Sequence, residues 1–142
     1  MSKDTLLSEA LAYARIGWPI FPLAAGTKNP AIQGGNGFKD ATTNEDQIRE
    51  WWATYPNANI GFYPHKAGLS VIDIDVKNGG QGFAQLEGLQ FKNGVLPSTV
   101  IQETPSKGQH WFYRCKEPMP NTKIAPDIDV RCAGGYVVLA PS

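Results

Sequence analysis

Neither sign of charge prevails in this sequence. Thirteen Lys and Arg stand against thirteen Asp and Glu, so no global field gathers a polyanion, and any phosphate or nucleic-acid partner must be held by local groups. No apolar run approaches the roughly 20 residues of a membrane-spanning helix, which argues against a membrane protein. Cysteine is scarce: Cys115 and Cys132 show no CxxC or other metal-ligand spacing. The opening residues, MSKDTLLSEALAYA, lack the apolar core of a secretory signal. These absences predict an intracellular, cytoplasmic chain with two reduced thiols; a disulfide between them is the rival reading. What is plentiful is apolar residues, glycine and proline. A hydrophobic fraction of 42% excludes wholesale disorder. Fifteen Gly and eleven Pro, 26 of 142 residues, exceed average usage, so turns and irregular connections must be frequent. The length suits one domain over residues 1–142, with enough chain to bury a core.

Residues 4–16 place Leu7, Ala10, Leu11 and Ala14 on one helical stripe, with Asp4 or Thr5 as cap and Gly17 as stop. Residues 18–23 are apolar but carry two prolines, which suits a short edge strand. The Gly-, Asn- and Thr-rich stretch 24–41 is a long connection of the kind that is usually functional or mobile, hence a candidate binding loop. Thr43, followed by Glu45 and Asp46, reads as a cap with an acidic first turn. Ile48, Trp51, Trp52 and Tyr55 then mark the apolar side of a second helix ended by Pro56. Helical spacing makes the tryptophans core residues; a stacking platform for bases is the alternative. Strands are predicted at residues 59–63, 68–76, 100–103, 110–115, 128–130 and 136–140. A short helical stretch falls around Phe83, Leu86 and Leu89, a loop at 91–98 and a tight polar turn at 104–109. Helices early and strands late predict an α+β fold, a largely antiparallel sheet flanked by helices.

Two acidic strands carry the chemistry. In Val71-Ile72-Asp73-Ile74-Asp75-Val76, period-2 geometry puts Asp73 and Asp75 on one face and the aliphatic residues on the other. Like charges raise each other's pKa, so both stay ionised cheaply only beside a cation. Carboxylate oxygens select hard ions such as Mg²⁺, Mn²⁺ or Ca²⁺. A solvated strand face is the plainer reading of this motif alone. A second string, Asp127-Ile128-Asp129-Val130-Arg131, offers a third carboxylate, and three can hold two divalent ions of the kind used in phosphoryl and nucleotidyl transfer. Asp129, deeper in the apolar run, is a better ligand than Asp127. The reading requires Asp129 to share a sheet face with the 73/75 pair.

The turn Thr104-Pro105-Ser106-Lys107-Gly108-Gln109-His110 assembles a hydroxyl, a cation, a glycine and an imidazole, the parts of a phosphate site. His110 is either a hydrogen-bonded structural residue at a strand start or a triphosphate ligand. Arg131 can pair with a phosphate or with Asp129.

An ordered, nearly full-length series of residues resembles the N-terminal domain of bifunctional DNA primase/polymerases, within the archaeo-eukaryotic primase superfamily. It runs through Gly17-Trp18-Pro19-Ile20-Phe21-Pro22-Leu23, Lys28-Asn29-Pro30, Trp51-Trp52, Asn59-Ile60-Gly61, Asp73-Ile74-Asp75, the turn ending at His110, Ile128-Asp129-Val130-Arg131 and Gly134-Gly135-Tyr136-Val137-Val138. The resemblance implies a catalytic core related to the RNA-recognition (RRM-like) fold. It also implies two divalent metal ions, Mg²⁺ or Mn²⁺, on Asp73, Asp75 and Asp129, a histidine, His110, at the incoming nucleotide, and Lys28 as a further basic contact. The chain departs from the pattern at Lys107, among small residues, and at Asp127, where glycine is usual. It carries no zinc-binding cysteine insertion. Relatives run on past such a Pro-Ser, so a further hairpin is expected beyond Ser142; without it a sheet edge would stand open.

The function expected is a metal-dependent DNA primase/polymerase acting on single-stranded DNA template and primer with nucleoside triphosphates. Asp73, Asp75, Asp129 and His110 would be catalytic, and Ser106, Lys107, Gly108, His110, Arg131 and Lys28 would bind nucleotide. A helicase domain or partner is implied by the resemblance alone. The alternatives are a non-catalytic nucleotide- or single-stranded-DNA-binding relative and, less favoured, a nuclease using the same metals.

Overall fold

Lys3–Arg15 form helix α1 in the computed structural model, which describes residues 3–115, 117 and 119–142. The helix begins earlier than the predicted caps, so Asp4 and Thr5 lie in its first turn. Its buried stripe is Leu6, Ala10, Leu11 and Ala14, with Leu7 half-buried beside it. Gly17, at φ 89°, turns the chain away as expected. Helix α2, Glu45–Thr54, is capped by Asn44 and not by Thr43: the Asn44 side chain accepts from the Gln47 N–H at 3.0 Å. Trp52 is buried and its indole N–H donates to the Ala58 carbonyl at 3.2 Å, so it is a core residue; Trp51 is half-buried against the same core.

The eight strands of the described residues divide between two antiparallel sheets. The first contains β1 (Ile20–Leu23), β2 (Asn59–Phe62) and β8 (Val137–Leu139) in the order β1-β2-β8, so the proline-bearing β1 is an edge strand as predicted. The second contains β3 (Leu69–Ile74), β4 (Val100–Glu103), β5 (Gln109–Arg114), β6 (Thr122–Ala125) and β7 (Ile128–Arg131), ordered β4-β5-β3-β7-β6. Strand β6 has no counterpart in the sequence reading. Strand β3 stops at Ile74, short of the predicted end, because Val76 leaves the extended region at ψ 9°. Helix α3 spans Gly82–Asn93 and so takes the first three residues of the expected 91–98 loop.

Both faces of the first sheet are covered. Ile60, Phe62, Val137 and Leu139 meet α1 and α2, while Phe21 and Leu23 pack with Ala41, Phe38, Tyr63 and Tyr136 on the reverse. The five-stranded sheet sends Ile72, Ile74, Ile128 and Val130 toward Leu86 of α3. From its other face Val71 and Phe112, with half-buried Leu69 beside them, join the core shared with the first sheet. Apolar cover therefore ends part-way along that face, and polar residues occupy the remainder. The thiols of Cys115 and Cys132 are free. No helix among the described residues is long and apolar enough to cross a membrane.

Candidate active site

Directly opposed residues of antiparallel strands point to the same face, and the register here lines up one side chain from every strand of the larger sheet. Gln102 opposes His110, His110 opposes Asp73, Asp73 opposes Asp129, and Asp129 opposes Lys123. Asp129 thus lies on the same face as Asp73, one strand away, as the reading of the acidic strands requires. The row begins where Val71 and Phe112 leave off, so the first sheet no longer covers it and a cleft of about 290 Å³ opens between the two sheets.

Six of the residues singled out in the sequence line this cleft: Lys28, Asp73, Asp75, Ser106, His110 and Arg131. His110 is buried, and its Nε2 lies 3.4 Å from Asp73 Oδ1. Its ring meets Phe112 edge-on at 6.4 Å. Burial alone would push the Asp73 carboxyl up. The hydrogen bond and charge of His110, aided by Arg131 and Lys28, more than offset this and hold the group below the usual carboxylate range. Asp75 follows the strand and accepts the Lys77 backbone N–H at 2.8 Å.

Three predicted residues stand apart from the cleft lining. Asp129 is flanked by Lys123 at 3.2 Å and Arg131 at 3.4 Å. Lys107 is exposed at the tip of the β4–β5 turn, at φ 72°. Gly108 is buried against β3: a Cβ there would lie 2.3 Å from the Ile74 carbonyl oxygen, so glycine serves close approach of the turn to the strand. Asp127, at φ 65°, sits in the β6–β7 turn, where its carboxylate accepts the Gln81 N–H at 2.9 Å. Lys107 and Asp127, the two departures from the family pattern, both occupy left-handed backbone, where glycine is the least strained residue and Asp is tolerated better than most.

The donor set suits hard divalent ions in kind: aspartate oxygens on one face and no thiol in the lining. Among the described residues, however, no three His, Cys, Asp or Glu side chains converge closely enough to hold a metal as they stand. Two of the three acids are turned to other partners, Asp75 to a backbone N–H and Asp129 to two cations.

Lys77 was missed in the sequence. It lines the cleft two residues beyond Asp75, alongside Lys28. Lys77, then partial burial, push the Lys28 ammonium below the usual lysine range, while Asp73 and Asp75 pull the other way. Tyr136 and Asn59 also line the cleft. Both belonged to the resembling series, yet nothing local to them signals a site. Carboxylates and basic groups thus line the same cleft.

A family model for the N-terminal domain of bifunctional DNA primase/polymerases matches residues 10–142, a span that holds every residue of the cross-strand row. No curated protein matches the chain.

Proposed function

Because the chain belongs to the family of bifunctional DNA primase/polymerase N-terminal domains, we propose that it is a metal-dependent nucleotidyltransferase that copies single-stranded template DNA from nucleoside triphosphates. The observation that carries this reading is the cross-strand register that sets Asp129 opposite Asp73 and His110 on Asp73's other side. Asp73, Asp75 and Asp129 would hold two divalent ions, Mg²⁺ or Mn²⁺, which when bound favour the ionised 3′-hydroxyl and neutralise charge on the phosphates. His110 is a buried, fixed ring whose Nε2 faces Asp73 at 3.4 Å; with the Asp73 carboxylate taken up by an ion, that donor would be left for a phosphate oxygen. Arg131, Lys28 and the Ser106 hydroxyl line the same cleft and supply further phosphate contacts. Lys107, at the exposed tip, and Gly108, packed on β3, lie outside the cleft lining. Charge supports the assignment. Three carboxylates and the about four negative charges of a triphosphate would be offset by two divalent ions together with the basic side chains of Lys28, Lys77, Lys123 and Arg131.

Primer extension with Mg²⁺ or Mn²⁺ tests it. Asp73→Asn should lower the rate by about a thousandfold, since an ion held at the reacting phosphate contributes several kcal/mol. His110→Ala should chiefly weaken triphosphate binding. Undiminished extension by either variant would reject the assignment. One observation favours a second reading, a nucleotide- or single-stranded-DNA-binding relative without catalysis: Asp129 is already neutralised by Lys123 and Arg131. That reading predicts triphosphate binding with no phosphodiester product.

A further inference from the structure

The turn that carries Lys28 to the cleft has almost no packing of its own, since residues 25–30 are exposed throughout. Internally it is closed by Ala24 N–H to Asn29 O at 2.7 Å and Thr27 N–H to Ala24 O at 2.9 Å, and Leu23 bridges Pro30 at its base. Two side chains from the first sheet then take hold of successive carbonyls. Asn59, at the start of β2, donates Nδ2–H to the Thr27 carbonyl at 3.1 Å. Tyr136, next to β8, donates its hydroxyl to the Lys28 carbonyl at 2.6 Å. The Tyr136 ring is itself fixed, edge-on to Phe21 at 5.2 Å and beside Phe38 at 6.1 Å.

We propose that Tyr136 is a positioning residue: its hydroxyl holds the Lys28 turn against the first sheet, so that the Lys28 ammonium is pre-placed for the phosphates of a bound nucleotide. The inference rests on the reading that Lys28 contacts the triphosphate. An exposed turn without apolar anchors opens at little cost, and a charged group that must meet a phosphate gains affinity from being held in place beforehand. Tyr136→Phe is a clean probe because it keeps both ring contacts and removes only the hydroxyl.

The test is a double-mutant cycle on the full chain, with Tyr136→Phe, Lys28→Met and the double variant. The measured quantity is the dissociation constant of a deoxynucleoside triphosphate with Mg²⁺, by calorimetry, which needs no turnover; melting temperatures serve as the folding control. Lys28→Met should weaken binding about tenfold and Tyr136→Phe about threefold to fivefold, as for one net hydrogen bond. The double variant should bind no more weakly than Lys28→Met alone. Additive losses would overturn the proposal, because Tyr136 would then act on the ligand independently of Lys28. Unchanged binding in Tyr136→Phe would overturn it as well. If Lys28→Met binds like the unaltered chain, the proposal falls together with the placement of Lys28 at the triphosphate. Binding by the unaltered chain without extension activity would instead sink the catalytic reading and leave the positioning role standing if the cycle closes as expected.

Discussion

Asp73 stands between His110 on one strand and Asp129 on the other, and of these His110 sets its charge state, with Arg131 and Lys28 beside it. Burial disfavours its ionised form, yet the His110 contact prevails and its folded pKa lies below the ordinary value of 3.8. A carboxylate whose folded pKa is depressed contributes stability that is complete above the unfolded value and is lost as pH falls through the folded one. The metal-free protein should therefore be more stable than Asp73→Asn near neutrality. The gap in melting temperature should narrow as acidification carries the pH below the ordinary value of 3.8 and through the lowered folded one. A gap that stays constant over that range would show that the His110 contact does not stabilise the ionised form. Asp73 and His110 were both legible as single residues, because alternation and a polar turn are local signals. Their contact was not, since it depends on the pairing of strands 37 positions apart.

Register is the element-scale decision on which the site depends, and much of it is enforced by what the turns tolerate. The β4–β5 connection seats Gly108 against the Ile74 carbonyl, where an added Cβ would sit at 2.3 Å against backbone on one side. Gly108→Ala should destabilise the chain by about 2 kcal/mol, the scale of overpacking at a site that cannot yield. The midpoint of urea unfolding would show it, and a midpoint unchanged from the parent chain would mean that the turn moves freely. The helices and most strands could be read from apolar periodicity. Strand β6 could not: its residues Thr122, Lys123 and Ile124 are exposed on a sheet edge, so selection for burial leaves no alternating pattern. The end of α3 was misread for a related reason. Phe91 is exposed, and the helix stops at Asn93 because Gly94 adopts φ 100°, a terminus set by backbone freedom and not by the apolar stripe. Asn44, next to the predicted Thr43 cap, shows how two adjacent capping residues leave the helix start uncertain by one position from sequence alone.

Across the whole molecule, zero net charge conceals local grouping, with Asp73 and Asp129 on the larger sheet beside Lys123 and Arg131, and Lys28 on a turn held by the smaller one. The two sheets are joined through an aromatic stack in which Trp18 lies 4.7 Å from Phe62 and 5.0 Å from Phe112. Tyr13 extends the stack at 5.6 Å. Beyond this stack the sheets are tied again where the Ala140 N–H donates to Gln102 Oε1 at 3.0 Å, and a ligand that touches both walls of the cleft adds to these cross-sheet interactions. A ligand that binds only the folded state stabilises it by about 2.7 kcal/mol when present at a hundredfold its dissociation constant. With an unfolding entropy of about 2 cal/mol/K per residue, this corresponds to a rise in melting temperature of about 9 °C for 142 residues. The full rise should need Mg²⁺ and a triphosphate together. Either alone should give a small part of it, because unscreened phosphates meet Asp73 and Asp75, and bare ions leave Lys28, Lys77 and Arg131 unmatched. Asp73→Asn should abolish the synergy while keeping a stable fold. Equal shifts with triphosphate alone in the presence of a chelator would place the ligand away from the acidic row and remove the main support for metal-dependent chemistry there.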